Sequence, residues 1–229
     1  RDIAERPGPG TSWVAVGRVD KGSGYKWFAA PNTSTTGTSW VGQNLSMYNY
    51  HTPCNTELTG VAFDPAGNAL AVGRTNVSAV KPSPYPDGFF AMAIATQYQN
   101  DLYSNIRIDD WCDVSVGGFN DVAADSSGTF IAVGESGASG NPEPIAYRFH
   151  SPFASYPATP MQNLSSGLPS GTDSLEGIAT DTAGTWVVAG GDRGFVSRST
   201  DLGASWSQEI QTIPGPKDQG LLRGIAVRP

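Results

Sequence analysis

LEGIATDTAGTWVVAGGDRGFVSRSTDLGASW, residues 175–206, decides how the rest of the chain is read. Three short runs rich in β-branched and aromatic residues, IATD, TWVVAG and FVSRS, are separated by turn residues, and such bounded runs read as strands. The pattern recurs. Residues 2–17 read DIAERPGPGTSWVAVG, 60–73 GVAFDPAGNALAVG, 121–134 DVAADSSGTFIAVG, 177–190 GIATDTAGTWVVAG and 224–229 GIAVRP. In the three central copies the leading Val61, Val122 or Ile178 stands at one fixed distance from the closing Gly73, Gly134 or Gly190, while the first copy carries two extra residues in its Pro/Gly turn. A constant offset around variable residues is the mark of a shared hairpin.

Turn chemistry accounts for the offset. Asp64, Asp125 and Asp181 are each followed three residues later by Gly67, Gly128 and Gly184. An Asp side chain that opens a turn accepts a hydrogen bond from the backbone two residues on, and Gly supplies the positive φ that returns the second strand in register. The three aspartates therefore read as turn formers and not as active-site carboxylates.

A third strand follows each AVG-like run: KWFAAP (26–31), GFFAMAIAT (88–96), EPIAYRFH (143–150) and GFVSRS (194–199). The repeats start at Ile3, Val61, Val122, Ile178 and Ile225, at spacings of 58, 61, 56 and 47 residues. Units of that length with three or four antiparallel strands fit the blades of a β-propeller, and continuous apolar runs such as IAVG suit strands covered on both faces. The expectation is an all-β chain forming a single domain over residues 1–229. Its repeats run over about 2–59, 60–120, 121–176 and 177–223, with a partial fifth at 224–229. The ends RDIAERP and RGIAVRP fall on the same strand position, so a ring of four would hold that strand twice. Four repeats and the start of a fifth, within a larger propeller, are expected, with a four-bladed ring closed in another way as the runner-up. The start, RDIAERPG, has neither an initiator Met nor the apolar core of a signal peptide, and reads as mature or excised.

Segments 74–87 and 135–141 read as Pro- or Gly-rich loops within blades, and 151–170 as a Pro/Ser-rich passage between strands. Binding residues concentrate in such loops. Tyr85, Tyr98, Tyr103, Trp111 and Tyr156 lie in or near them, able to stack on sugars or anchor a protein partner, or else to fill blade interfaces.

Composition excludes several classes. A net charge of −7, with a pI of about 4.7, carries no cationic stripe for displacing counterions from a nucleic acid. No apolar run approaches the roughly 20 residues of a membrane-spanning helix. Cys54 and Cys112 have no CxxC spacing, leaving two alternatives: a disulfide between consecutive repeats, or two reduced buried thiols. His51 and His150 stand in different repeats and form no paired-histidine ligand set, so neither a metal nor another cofactor is expected. Sequons at Asn32, Asn44, Asn76 and Asn163 permit a secreted glycoprotein without requiring one.

Residues 199–206, STDLGASW, match S-x-D-x-G-x-x-W at Ser199, Asp201, Gly203 and Trp206. This is the Asp-box (BNR) pattern, and with VVAGGDRGFVSRS before it the repeat resembles β-propellers of the sialidase-like superfamily. It is closest in look to the non-enzymatic repeats of photosystem II assembly and stability factors, units also found in secreted bacterial and phage structural proteins. A degenerate copy stands at Thr33, Thr35, Gly37 and Trp40. The box reads as a structural turn between outer strands: Asp201 accepts from turn N–H groups, Gly203 takes positive φ, and Trp206 covers the turn.

The resemblance raises the question of a sialidase activity, which in that superfamily uses an arginine triad, a Tyr/Glu nucleophile pair, an Asp acid and an early F/Y-R-I-P motif. No RIP is present, and Arg6 and Arg228 precede Pro only within the repeated IAERP and IAVRP. Any suitably separated carboxylate pair can serve a glycosidase, but Asp109, Asp110, Glu135 and Glu143, all expected in loops, are not singled out. The expected function is a non-catalytic binding or scaffolding module for protein or glycan partners, extracellular or surface-associated, including a virion surface. A sialidase-type glycoside hydrolase is the alternative.

Overall fold

A computed structural model describes residues 2–7, 12–20, 25–32, 55–76, 89–94, 106–107, 117–136, 143–150, 162–168, 174–181, 183–191, 194–211, 222 and 224–226. Apart from a 3-10 turn at Ser165–Gly167, every regular element among them is a strand. β1 (Asp2–Arg6), β2 (Ser12–Asp20) and β3 (Tyr25–Asn32) form the first blade, and β4 (Asn55–Phe63), β5 (Ala69–Asn76), β6 (Phe89–Ile94) and β7 (Ile106–Arg107) the second. The third is β8 (Gly117–Ala124), β9 (Thr129–Ser136), β10 (Glu143–His150) and β11 (Gln162–Asn163), and the fourth β12 (Leu175–Thr180), β13 (Trp186–Gly190), β14 (Phe195–Ser199) and β15 (Ser207–Gln211). Within each blade sequential strands pair antiparallel, and a single pair, Arg74 with Gly118, joins the second blade to the third.

The blades stack in chain order: β4 packs against β1, β2 and β3, β8 against β4, β5 and β6, and β12 against β8 and β9. Strand alternation turns this order into two separate cores. On β9, Phe130 and Ala132 point to Leu70 and Val72 of the second blade, whereas Ile131 and Val133 point to Trp186, Val188 and Trp206 of the fourth. Both faces of that strand are apolar because both are covered. Phe119 completes the earlier core with edge-on contacts to Tyr147 and Phe149 at centroid separations of 5.8 and 6.3 Å.

Val122 and Ile178, leading residues of their repeats, pack on the preceding blade. Val61, Val122 and Ile178 are only 4%, 5% and 4% exposed, while Ile3 of the first blade is 51% exposed. At the other end, residues 224–226 lie against the fourth blade where the first strand of a next blade would run: a methyl on Gly177 would stand 3.1 Å from Gly224 Cα, as one on Gly60 would stand 3.0 Å from Asp121 Cα.

Each first strand of blades two to four carries a bulge, between Leu58 and Gly60, Phe119 and Asp121, and Leu175 and Gly177. The bulge pushes the strand toward its partner, which explains the closing glycine of the repeat. A methyl on Gly134 would overlap Gly118 O and sit 2.8 Å from Phe119 Cα, and one on Gly190 would overlap Ser174 O and sit 2.7 Å from Leu175 Cα. The extra residue of the first two bulges ties adjacent blades: Thr59 Oγ1 donates to Phe119 O at 2.7 Å, and Asn120 Nδ2 to Leu175 O at 2.8 Å.

Two expectations need correction. Glu135 and Glu143 are not in loops: Glu135 lies in β9, because the hairpin extends further than its Gly-rich segment implies, and Glu143 opens β10, paired with Ser136, where the strand reading of EPIAYRFH already put it. The passage 151–170 is not all connection either. It contains β11, which pairs Asn163 with Tyr147 and supplies the third blade's fourth strand, and likewise residues 74–76 belong to β5.

Candidate functional site

The three hairpin turns share one geometry. Gly67, Gly128 and Gly184 have φ of 82°, 84° and 81°, and each donates its N–H to the carbonyl of Asp64, Asp125 or Asp181, at 3.0, 3.3 and 3.4 Å. The carboxylates cap the turn from within. Asp125 Oδ1 accepts from Ser127 N and Thr129 N at 2.8 and 3.0 Å, Asp181 Oδ1 from Ala183 N and Thr185 N at 2.9 and 2.8 Å, and Asp64 Oδ1 from Asn68 N at 2.8 Å. The Thr185 N–H holds the Asp181 carboxyl below its ordinary value.

The turn at 199–206 is held more tightly. Asp201 accepts from Ser205 Oγ at 2.5 Å, Ser205 N at 2.9 Å and Ser199 Oγ at 2.7 Å, and these bonds, Ser205's side chain first, hold its carboxyl down at about 2. Ser199 Oγ in turn accepts from Gly203 N at 2.9 Å. Gly203 has φ of 81°, and a methyl there would stand 2.6 Å from Leu164 Cδ1 of the third blade. Trp206 is buried in the core shared by blades three and four, and Arg148 donates across to Leu202 O at 3.1 Å and, within its own blade, to Gln162 Oε1. The turn thus closes its own blade and also packs against the one before it.

Sequence reasoning missed a second carboxylate arrangement, on the first strands. Asp2 accepts from Ile3 N through Oδ1 at 2.8 Å and from Val61 N of the next blade through Oδ2 at 2.9 Å. Asp121 repeats this two blades later, with Val122 N at 2.8 Å and Ile178 N at 2.9 Å. Each carboxylate therefore joins two blades through main-chain donors. Gly60 and Gly177 occupy the same position in the alternate blades, where the next first strand comes too close for a side chain. The signal was the residue before each repeat's leading Ile or Val, which reads Asp, Gly, Asp, Gly, Gly. Burial pushes the Asp121 carboxyl up to about 6 in spite of its two N–H partners, and the neighbouring Asp2 charge pushes in the same direction.

Thr33, Thr35, Gly37 and Trp40, the aromatics Tyr85, Tyr98, Tyr103, Trp111 and Tyr156, and Cys54, Cys112, His51, Asp109 and Asp110 lie outside the described residues. Asn163 is exposed at the rim, its Oδ1 accepting from Ser165 N at 2.8 Å and its Nδ2 donating to Tyr147 Oη at 3.2 Å. Among the described residues no three His, Cys, Asp or Glu side chains gather as a metal site, and no helix is long and apolar enough to cross a membrane.

No family model matches the sequence, and no curated protein matches it. Among solved structures the chain is similar to a Hadza microbial sialidase, with a TM-score of 0.52, 12% identity, and coverage of 88% of this chain and 44% of that one. It also aligns with the Trypanosoma rangeli sialidase in complex with sialic acid, with a TM-score of 0.48, 11% identity, and coverage of 91% and 37%. The chain spans less than half the length of either. At such identity the first likeness is one of fold, and the fold is a sialidase-like β-propeller.

Proposed function

We propose that the chain is a non-catalytic β-propeller module that binds or scaffolds protein or glycan partners at a cell, filament or virion surface. The observation that supports this reading is how its carboxylates are employed. Asp2, Asp121, Asp125, Asp181 and Asp201 all accept main-chain N–H groups that hold turns or join blades, so they serve the scaffold and not proton transfer to a substrate. The 199–206 turn, read as an Asp-box, has the same structural employment. Loops carried on such a rigid stack, with Tyr85, Tyr98, Tyr103, Trp111 and Tyr156 in or near them, are the surface we assign to partners.

The second reading is a sialidase-type glycoside hydrolase, which the fold of the Hadza microbial sialidase favours. Incubation of the purified chain with a panel of fluorogenic sialosides separates the two. The binding module gives no turnover above buffer and retains glycans or proteins in an array or pull-down. Hydrolysis that one carboxylate substitution abolishes would establish the enzyme.

A further inference from the structure

The β8–β9 turn differs from its two counterparts in one respect: its Asp network runs outward to an imidazole. Ser127 stands where the other turns have Ala66 and Ala183, and His150 lies directly across the β9–β10 pair from Thr129. The contacts form a line. Ser127 Oγ donates to Asp125 Oδ1 at 2.7 Å, Ser127 Oγ and Thr129 Oγ1 are 3.0 Å apart, and Thr129 Oγ1 is 3.2 Å from His150 Nδ1.

The protons in this line can be assigned by elimination. Asp125 Oδ1 accepts from three donors, Ser127 N, Thr129 N and Ser127 Oγ, and has no proton to return. The single hydroxyl proton of Ser127 is used on Asp125, so Thr129 must donate in the Ser127–Thr129 contact. Thr129's proton is then used in turn, so the bond to His150 must come from Nδ1–H. A neutral imidazole protonated at Nδ1 carries its lone pair on Nε2. His150 is exposed, and Nε2 has no partner among the described residues.

We propose that blade three carries a hydrogen-bond acceptor site at this turn, in which a hydroxyl relay anchored on Asp125 holds His150 as the Nδ1–H tautomer and leaves the Nε2 lone pair facing solvent. The ligand chemistry it suits is a hydrogen-bond donor, such as a hydroxyl of a glycan or side chain, which is consistent with the binding module proposed above. Asp125, Ser127 and Thr129 act here as positioning residues. Free imidazole side chains favour the opposite, Nε2–H, tautomer, so the relay has a measurable signature.

The test is ¹⁵N and ¹³C NMR of the histidine ring in the full chain at about pH 8.5, well above the ordinary imidazole value. The relay predicts Nδ1–H in the wild type. Ser127→Ala frees the Thr129 proton to donate to Nδ1 and switches the ring to Nε2–H, Thr129→Val leaves the free-imidazole preference, and Thr129→Ser, which keeps the hydroxyl, retains Nδ1–H. A second readout is acylation by diethyl pyrocarbonate. Nε2 attacks a carbonyl carbon, the C–O bond to the ethyl carbonate leaving group breaks, and the Nδ1 proton is released as the ethoxycarbonyl imidazole forms. Peptide mapping should show acylation of His150 about fivefold slower in Ser127→Ala, equivalent to one hydrogen bond of about 1 kcal/mol. Nε2–H in the neutral wild-type ring, or the same tautomer in wild type and Ser127→Ala, overturns the proposal.

Discussion

Asp121 offers the sharpest test of how the blades are joined, because its two hydrogen bonds and its burial oppose each other. The bonds to Val122 N and Ile178 N favour the carboxylate, yet removal from water outweighs them and lifts the group from the ordinary 3.8 to about 6. The folded chain then binds this proton more tightly than the unfolded chain does. The associated stability is fully present below 3.8 and is lost as pH rises through about 6. The interval corresponds to about 3 kcal/mol, of which solvent access at a partly buried site leaves about 2 kcal/mol. Asp121→Asn keeps the shape and removes the titration, at a constant penalty for the N–H group it no longer accepts. Urea unfolding of both proteins between about pH 4 and pH 7 cancels the shared carboxylates that do not interact with Asp121, leaving its own titration and its weaker coupling to Asp2. The stability difference should shift by about 2 kcal/mol in favour of Asp121→Asn over that range. A difference constant to within about 0.5 kcal/mol, or a shift toward wild type, refutes this reasoning.

Further outcomes follow from the packing. Gly60→Ala and Gly177→Ala place a methyl 3.0 and 3.1 Å from the next blade's backbone and should each destabilise by about 1–3 kcal/mol, whereas Gly224→Ala meets open space and should stay within about 0.5 kcal/mol, all read by thermal unfolding. Gly203→Ala combines a φ of 81° with a collision on Leu164, so it should exceed Gly184→Ala, which has the same φ and free space, by at least about 1 kcal/mol. Trp186→Ala empties a fully buried position in the core between blades three and four and should lower stability by about 3–5 kcal/mol in urea unfolding. Asp201 should titrate near pH 2 by ¹³C NMR; with its folded value below 3.8, the hold it gives the 199–206 turn persists above that range and is lost as pH falls through about 2.

The hairpins were legible in the sequence because their chemistry is local. An Asp and a Gly three residues apart determine a turn without help from the rest of the chain, and the unbroken apolar run in TFIAVG already implies two covered faces. What escaped notice depends on neighbours. The two residues of β11 are too few to show a period, and Glu135 lies in a hairpin whose extension past the closing glycine no local residue signals. The role of Asp2 and Asp121 is visible only when the next blade's N–H groups are in place. Thr59 and Asn120 likewise stand out only once the bulges bring them against the following strand. The aromatic and cysteine positions lie outside the described residues, so the proposed binding surface still stands on sequence.

A crystal structure of the chain tests the blade stack most directly, through the two faces of β9. Phe130 and Ala132 should meet Leu70 and Val72 of one sheet while Ile131 and Val133 meet Trp186 and Val188 of another, with Asp2 and Asp121 bridging to Val61 N and Ile178 N. A two-layer sandwich, in which one face of β9 is solvated and those carboxylates bridge nothing, would contradict the propeller.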